Sequence, residues 1–183
     1  EGVTSLENLT NNGYVYNRGY NTGGVIGLLR RGKNFKTSKL YNHGIVIGKT
    51  NTGGVIGVLN YSNTTIDDVH NYGDIKGTNY VGGVIGALGY ADNISSTLSN
   101  AINEGVVEAT VEYSKGGYRC GGIAGMVRGT SKLNNCINKN NVKVDGIVTK
   151  ENGDANNKRV GYIVGFLVST AIVSNCTNEY VNK

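Results

Sequence analysis

Gly23-Gly24-Val25-Ile26-Gly27 recurs unchanged at Gly53–Gly57 and again at Gly82–Gly86. Altered copies follow as Gly121-Gly122-Ile123-Ala124-Gly125 and Gly161-Tyr162-Ile163-Val164-Gly165. The five copies start 30, 29, 39 and 40 residues apart. A second block, Asn-x-Gly-x-Val/Ile, alternates with the first. It stands at Asn11, Gly13, Val15; at Asn42, Gly44, Val46; at Asn71, Gly73, Ile75; and at Asn103, Gly105, Val107. The fifth copy, Asn138, Asn140, Val142, replaces Gly with Asn, a residue that tolerates left-handed backbone. A sixth, Asn178, Tyr180, Asn182, has decayed, as terminal repeats do.

From the first Gly of each copy to the next Asn takes 19, 18, 21, 17 and 17 residues. From the Val/Ile position to the next Gly block takes 8, 7, 7, 14 and 19. Length variation is therefore confined to one connection. It forms insertions at residues 112–119 and 149–159, which fall at equivalent places and are expected to project side by side. Such regularity is the mark of a solenoid, in which one unit cannot bury its apolar face alone and stacked units can.

The periodicity inside each unit is that of a strand. No window holds apolar residues at helical spacing without an interrupting Gly. Side chains two apart share a face of a strand. One set reads Leu40, Asn42, Gly44, Val46 and then Val69, Asn71, Gly73, Ile75, and is assigned inward. The alternate set, such as Tyr14 and Tyr16, then Tyr41 and His43, then His70 and Tyr72, is variable and mostly polar or aromatic, and is assigned outward. The Gly blocks are apolar on both faces. This predicts a strand buried on both sides, with Ile26, Ile56 and Ile85 forming an outer stripe that loops or a neighbouring domain must cover. The expected fold is an all-β solenoid of five to six stacked repeats, each about 30–40 residues long, parallel and β-helix-like. An antiparallel sandwich is the alternative. The whole chain, 1–183, reads as one repeat domain that starts and stops inside its repeats, the pattern of a fragment of a longer protein. It opens at Glu1 with no signal-like segment, so a leader is either removed or lies upstream.

Composition closes off several classes. At 38% apolar the chain is not wholly disordered, and no apolar run approaches the ~20 residues of a spanning helix, so no membrane insertion is expected. Gly is 29 of 183 without a Gly-X-Y period, which excludes collagen. The net charge of +5 is spread out and makes no basic stripe, which argues against nucleic acid as a partner. Three Cys, two His and no Cys-x-x-Cys give no disulfide scaffold, metal site or cofactor to expect.

Asn11, Asn42, Asn71, Asn103, Asn138 and Asn178 read as a stacked amide ladder in preference to a binding stripe. Cys136 and Cys176 occupy one inward column, either as small packed residues or as a rung-to-rung disulfide. Cys120 shares a column with Thr22, Thr52, Val81 and Val160 and reads as packing. Asp67, Asp68 and His70 form an acid–imidazole cluster without a nucleophile beside them. Glu104 and Glu108, four apart on a strand, stand too far apart, at roughly 13 Å, to act as a glycosidase pair. No catalytic or metal-binding residue is assigned, and the chain is not expected to be an enzyme. The candidate ligand contacts are Tyr14, Tyr16, Tyr41 and Tyr72 on the outward face. To these are added Lys115, Tyr118, Arg119, Lys158 and Arg159 in the insertions. Tyr gives a large amphipathic contact at low entropy cost, although it is also simply a good strand former.

The paired blocks, Gly-Gly-Val-Ile-Gly-x-Leu followed about 18 residues later by Asn-x-Gly-x-Val, resemble the GLUG-motif repeats of bacterial cell-surface adhesin-like proteins. Such repeats also accompany immunoglobulin-A-specific metallopeptidases. The resemblance spans about Leu6 to Asn178. It implies secretion, display at the bacterial cell surface, and binding to a host protein or glycan instead of catalysis. Tyr162, Asn140 and the long insertions depart from the pattern, and no His-Glu-x-x-His peptidase motif occurs. Two other functions remain open: a passive spacer between neighbouring domains, and a carbohydrate-cleaving β-helix.

Overall fold

The computed structural model of the chain describes residues 5–30, 33–60, 63–110, 118–145 and 158–181. All their regular structure is β, and every paired strand runs parallel. The strands stack into four sheets, so the chain is a β-solenoid. Sheet 1 holds eight strands, on the path Ser5–Asn11, Lys33–Asn42, Asn63–Asn71, Thr97–Asn103, Lys132–Asn134 and Ile172–Ser174, with Ile137–Asn138 and Thr177–Asn178 beside it. Sheets 2, 3 and 4 are each five strands deep. In the second rung they are represented by Val46–Ile47, Thr50–Gly53 and Ile56–Asn60. The described residues thus make five rungs and part of a sixth.

Register explains why the two sequence blocks recur together. Asn11, Asn42, Asn71, Asn103, Asn138 and Asn178 pair rung to rung where sheet 1 turns into sheet 2. Gly24, Gly54, Gly83 and Gly122 stand at the bend between sheets 3 and 4. A Cβ added to Gly54 would collide with Asn71, and the same holds for Gly24 with Asn42, Gly83 with Asn103 and Gly122 with Asn138. The two corners therefore meet across the interior. They separate one apolar cluster, walled by sheets 1 and 4 (Leu40, Ile56, Leu59, Val69), from a second walled by sheets 2 and 3 (Val46, Ile75, Val81, Cys120).

That bend corrects the expectation for Ile26, Ile56 and Ile85. The Gly block begins with a corner, and the strand that follows is buried on both faces in the middle rungs, as at Ile56–Asn60 and Ile85–Leu88, but with other residues facing out. With the direction changed between Gly54 and Ile56, both Val55 and Ile56 point into the main core. The outer stripe is instead Leu28, Val58, Ala87, Met126 and Phe166, which pair in register. Its own chain covers the middle of it, since Tyr80 and Val168 pack together with Phe166 on Val58, Ala87 and Met126, while Leu28 in the first rung stays exposed.

A second departure from simple alternation lies inside sheet 1. Asn8, Lys39, Asp68, Asn100, Asn135 and Asn175 all have positive φ, and the pairing skips the first four of these positions. Each is a left-handed kink, repeated at the same place in successive rungs, that re-aims the strand without shifting its register. Residues three apart, such as Ile66 and Val69 or Leu98 and Ala101, therefore both enter the core.

Cys120, Cys136 and Cys176 are free thiols. Cys120 and Cys136 are buried packing residues, and burial pushes each thiol up to about 12. Both stay protonated at neutral pH, and the thiolate is the nucleophile. Maleimide labelling of the native protein near neutral pH is expected to modify Cys176, which is half-buried, well before the other two. Peptide mapping that finds Cys120 labelled as fast as Cys176 would overturn this assignment.

Candidate functional site

The ladder is a closed hydrogen-bonding system. From Asn11 to Asn138 each Asn Nδ2 donates twice, and that of Asn178, in the last rung, donates to the Tyr180 carbonyl. One bond goes to the carbonyl two residues on, as from Asn71 to Gly73 O at 2.7 Å. The other goes to the next Asn Oδ1, at 2.7, 2.8, 2.8, 2.9 and 2.8 Å along the stack from Asn11 to Asn178. Asn178, in the copy whose motif has decayed, still accepts from Asn138. With its donors committed inward, the column carries structure.

The outward columns carry the exposed aromatics. Tyr14 and Tyr16 are 62% and 54% exposed and stack on each other, with ring centroids 6.4 Å apart and planes 9° apart. Tyr72 is 39% exposed and stacks on His43, with ring centroids 4.5 Å apart and planes nearly parallel. Tyr41 is half-buried. Its hydroxyl donates to Asp68 Oδ2 at 3.0 Å and its ring meets His70 edge-on at 5.5 Å. Burial, and then the bond to Asp68, raises its phenol above the ordinary value. His70 Nε2 lies 3.3 Å from Asp68 Oδ1, and its Nδ1 lies 3.2 Å from the Tyr72 hydroxyl. Asp68 thus orients both rings from its positive-φ position. The structure brings Tyr41 and Tyr72 together with His43 and His70, and it pairs Tyr14 with Tyr16 on the first rung. The histidines belong to this aromatic face. Column register was the signal for them, since Tyr41 pairs with His70.

Beside the aromatics, charges alternate from rung to rung. Glu108 stands between Lys76 and Lys143, its register partners above and below, at 2.6 and 2.7 Å. Lys139 meets Glu104 at 3.1 Å. The bonds from Lys143 and then Lys76 lower the Glu108 carboxyl below its ordinary value. A depressed folded-state pKa stabilises the fold above the unfolded value and loses that contribution as pH falls through the folded one. Glu108→Gln is therefore expected to cost about 1 kcal/mol at neutral pH. The difference from wild type should vanish in acid, as denaturant midpoints across a pH series would show. A gap that persists in acid would mean the carboxylate is not the source.

The insertion residues do not sit in projecting loops where they are described. Tyr118 and Arg119 begin the strand Tyr118–Gly121, and Lys158 and Arg159 begin Lys158–Gly161. They pair side by side, Tyr118 with Lys158 and Arg119 with Arg159. Arg119 is only 9% exposed. Its guanidinium lies 4.8 Å from the Tyr80 ring centroid and 4.9 Å from that of Phe166, and it donates to Asn79 Oδ1 at 3.2 Å. Arg159 lies over Phe166 at 4.2 Å. These two arginines hold the cover over the outer apolar stripe, because each cation is drawn to an aromatic face. Lys115 lies outside the described residues.

Among the described residues no His, Cys, Asp and Glu gather as a metal would require. No described helix is long and apolar enough to cross a membrane. The chain matches no protein-family model, no curated protein and no solved structure.

Proposed function

We propose that the chain is a non-catalytic binding module of a secreted or surface-anchored bacterial protein. It would work outside the cell, with its aromatic face presented to a host protein or glycan. The observation that carries this reading is the exposure of Tyr14, Tyr16 and Tyr72 where sheet 1 turns into sheet 2, Tyr14 stacked on Tyr16 and Tyr72 on His43. Core packing does not require large rings there, and contiguous exposed apolar surface on a soluble domain marks an interaction site. The resemblance of the repeats to surface adhesins supports the location.

The test is a glycan array with a panel of host matrix proteins, probed with wild type and with a Tyr14→Ala, Tyr16→Ala, Tyr72→Ala variant. Tyr41 is left intact because its hydroxyl is tied to Asp68. Saturable binding that the variant loses is the expected result. No binding by wild type would favour the second reading, a passive spacer. The continuous Asn ladder favours that reading, since it would stiffen a stalk whatever its surface displayed.

A further inference from the structure

An open groove of about 620 Å³ runs along the outer corner between sheets 2 and 3. Tyr16 and Arg18 line it in the first rung, Lys49 in the second, Lys76 and Thr78 in the third, and Thr110 in the fourth. No carboxylate lines it among the described residues. Here the alternation of charge seen elsewhere on the surface breaks down. Lys76 is matched by Glu108. Arg18 donates its Nε to the Tyr16 hydroxyl at 2.9 Å, with its guanidinium carbon 6.0 Å from that ring's centroid, and it meets no carboxylate among the described residues. The Lys49 ammonium has no hydrogen-bond or ion-pair partner among the described residues, and both side chains are exposed. Arg18 and Lys49 thus stand in the turns between sheets 2 and 3 of successive rungs, two exposed cations with no carboxylate of the groove beside them.

Resting on the reading of the chain as a binding module, we propose that this groove binds a linear acidic polysaccharide lying along the solenoid axis. Two features fit that class. The rungs rise by about 4.8 Å, close to the length of one sugar in an extended chain, so successive anionic groups would meet Arg18 and then Lys49. Tyr16, held against Tyr14, offers a fixed aromatic face at the groove mouth. The groove floor supplies acceptors as well. Thr78 Oγ1 donates to the Lys49 carbonyl at 3.1 Å and Thr110 Oγ1 to that of Gly77 at 3.0 Å, which leaves oxygen lone pairs for sugar hydroxyls. A nucleic-acid channel would need a longer track of cations interleaved with several stacking rings.

The full chain would be titrated by calorimetry with a sulfated probe (a heparin oligosaccharide) and a carboxylated one (a galacturonate oligosaccharide). A neutral amylose oligosaccharide and a single-stranded oligonucleotide complete the set. Binding to at least one acidic glycan, weakened by salt, is expected, with none to amylose. Arg18→Ala with Lys49→Ala should lose about tenfold or more in affinity, while the equally neutralising pair Lys36→Ala with Lys132→Ala, on exposed positions of sheet 1, should stay within about twofold. All four are surface positions, and matching thermal midpoints would confirm folding. Equal losses in the two double variants would overturn the proposal in favour of net charge alone. Equal binding of amylose, or tighter binding of the oligonucleotide through the same residues, would also overturn it. If neither acidic glycan binds but the Tyr14, Tyr16 and Tyr72 panel still finds a ligand, the groove falls and the aromatic face stands. If both are silent, the binding-module reading falls too.

Discussion

Asn71→Ala is expected to lower the unfolding free energy by about 3–5 kcal/mol, a large share of what a domain has. Asn71 is fully buried in the middle of the ladder. Truncating it strands three groups at once: the Asn42 Nδ2 proton, the Asn103 Oδ1 and the Gly73 carbonyl. Each unmade buried bond costs about 1–3 kcal/mol, and the neighbouring Gly column offers no side chain to replace them. Asn71→Asp should be at least as damaging. It keeps the shape but turns the donors into lone pairs facing two carbonyl-type oxygens. Asn11→Ala is the internal control. Asn11 stands on the first rung, only partly buried, and its loss should cost about 1 kcal/mol. Urea denaturation of the three variants measures all of this. An Asn71→Ala cost below that of Asn11→Ala would mean that the ladder is ornamental and that apolar packing alone holds the rungs in register.

Much of this arrangement was legible in the sequence. The Asn column, the inward set beginning at Leu40 and Val69, and the outward tyrosines all follow from a period of two within a repeat of about 30 residues. Three features were not. The first is the bend at the Gly block. Alternation presumes a straight strand, and it put Ile56 outside when the corner at Gly54 turns it in. The second is the positive-φ column in sheet 1. Asn8, Asp68, Asn100, Asn135 and Asn175 are residue types that tolerate left-handed backbone, so the signal was present, but Lys39 interrupts it and 26 Asn in the chain mask it. The third is Arg119. Its cover role depends on Tyr80 and Phe166, which lie 39 and 47 residues away along the chain, and no local pattern links them. The groove was equally hidden, because Arg18, Lys49 and Thr78 fall in line only once the rungs are stacked.

The meeting of the two motifs leads to the second large effect. Gly54→Ala is expected to cost about 4 kcal/mol or more, or to prevent folding outright. The new methyl would fall far inside contact distance of the Gly83 carbonyl oxygen and of Asn71 Cγ. Backbone of the next rung lies on one side and the buried ladder on the other, and neither can retreat without breaking rung-to-rung bonds such as Gly54 N to Gly82 O. Gly13→Ala provides the contrast. Its added methyl meets only Asn11 Oδ1, at 3.5 Å, an ordinary contact, and the change should be nearly neutral. The informative experiment combines Gly54→Ala with Asn71→Ala in a double-mutant cycle. If the second Gly exists to admit the Asn, truncating Asn71 removes part of the clash, and the two costs should add to less than their sum by about 1 kcal/mol or more. The backbone half of the clash, against Gly83, would remain. Strict additivity would show that Gly54 is required only by the bend. The shared periodicity of the two blocks would then need a cause other than contact between them.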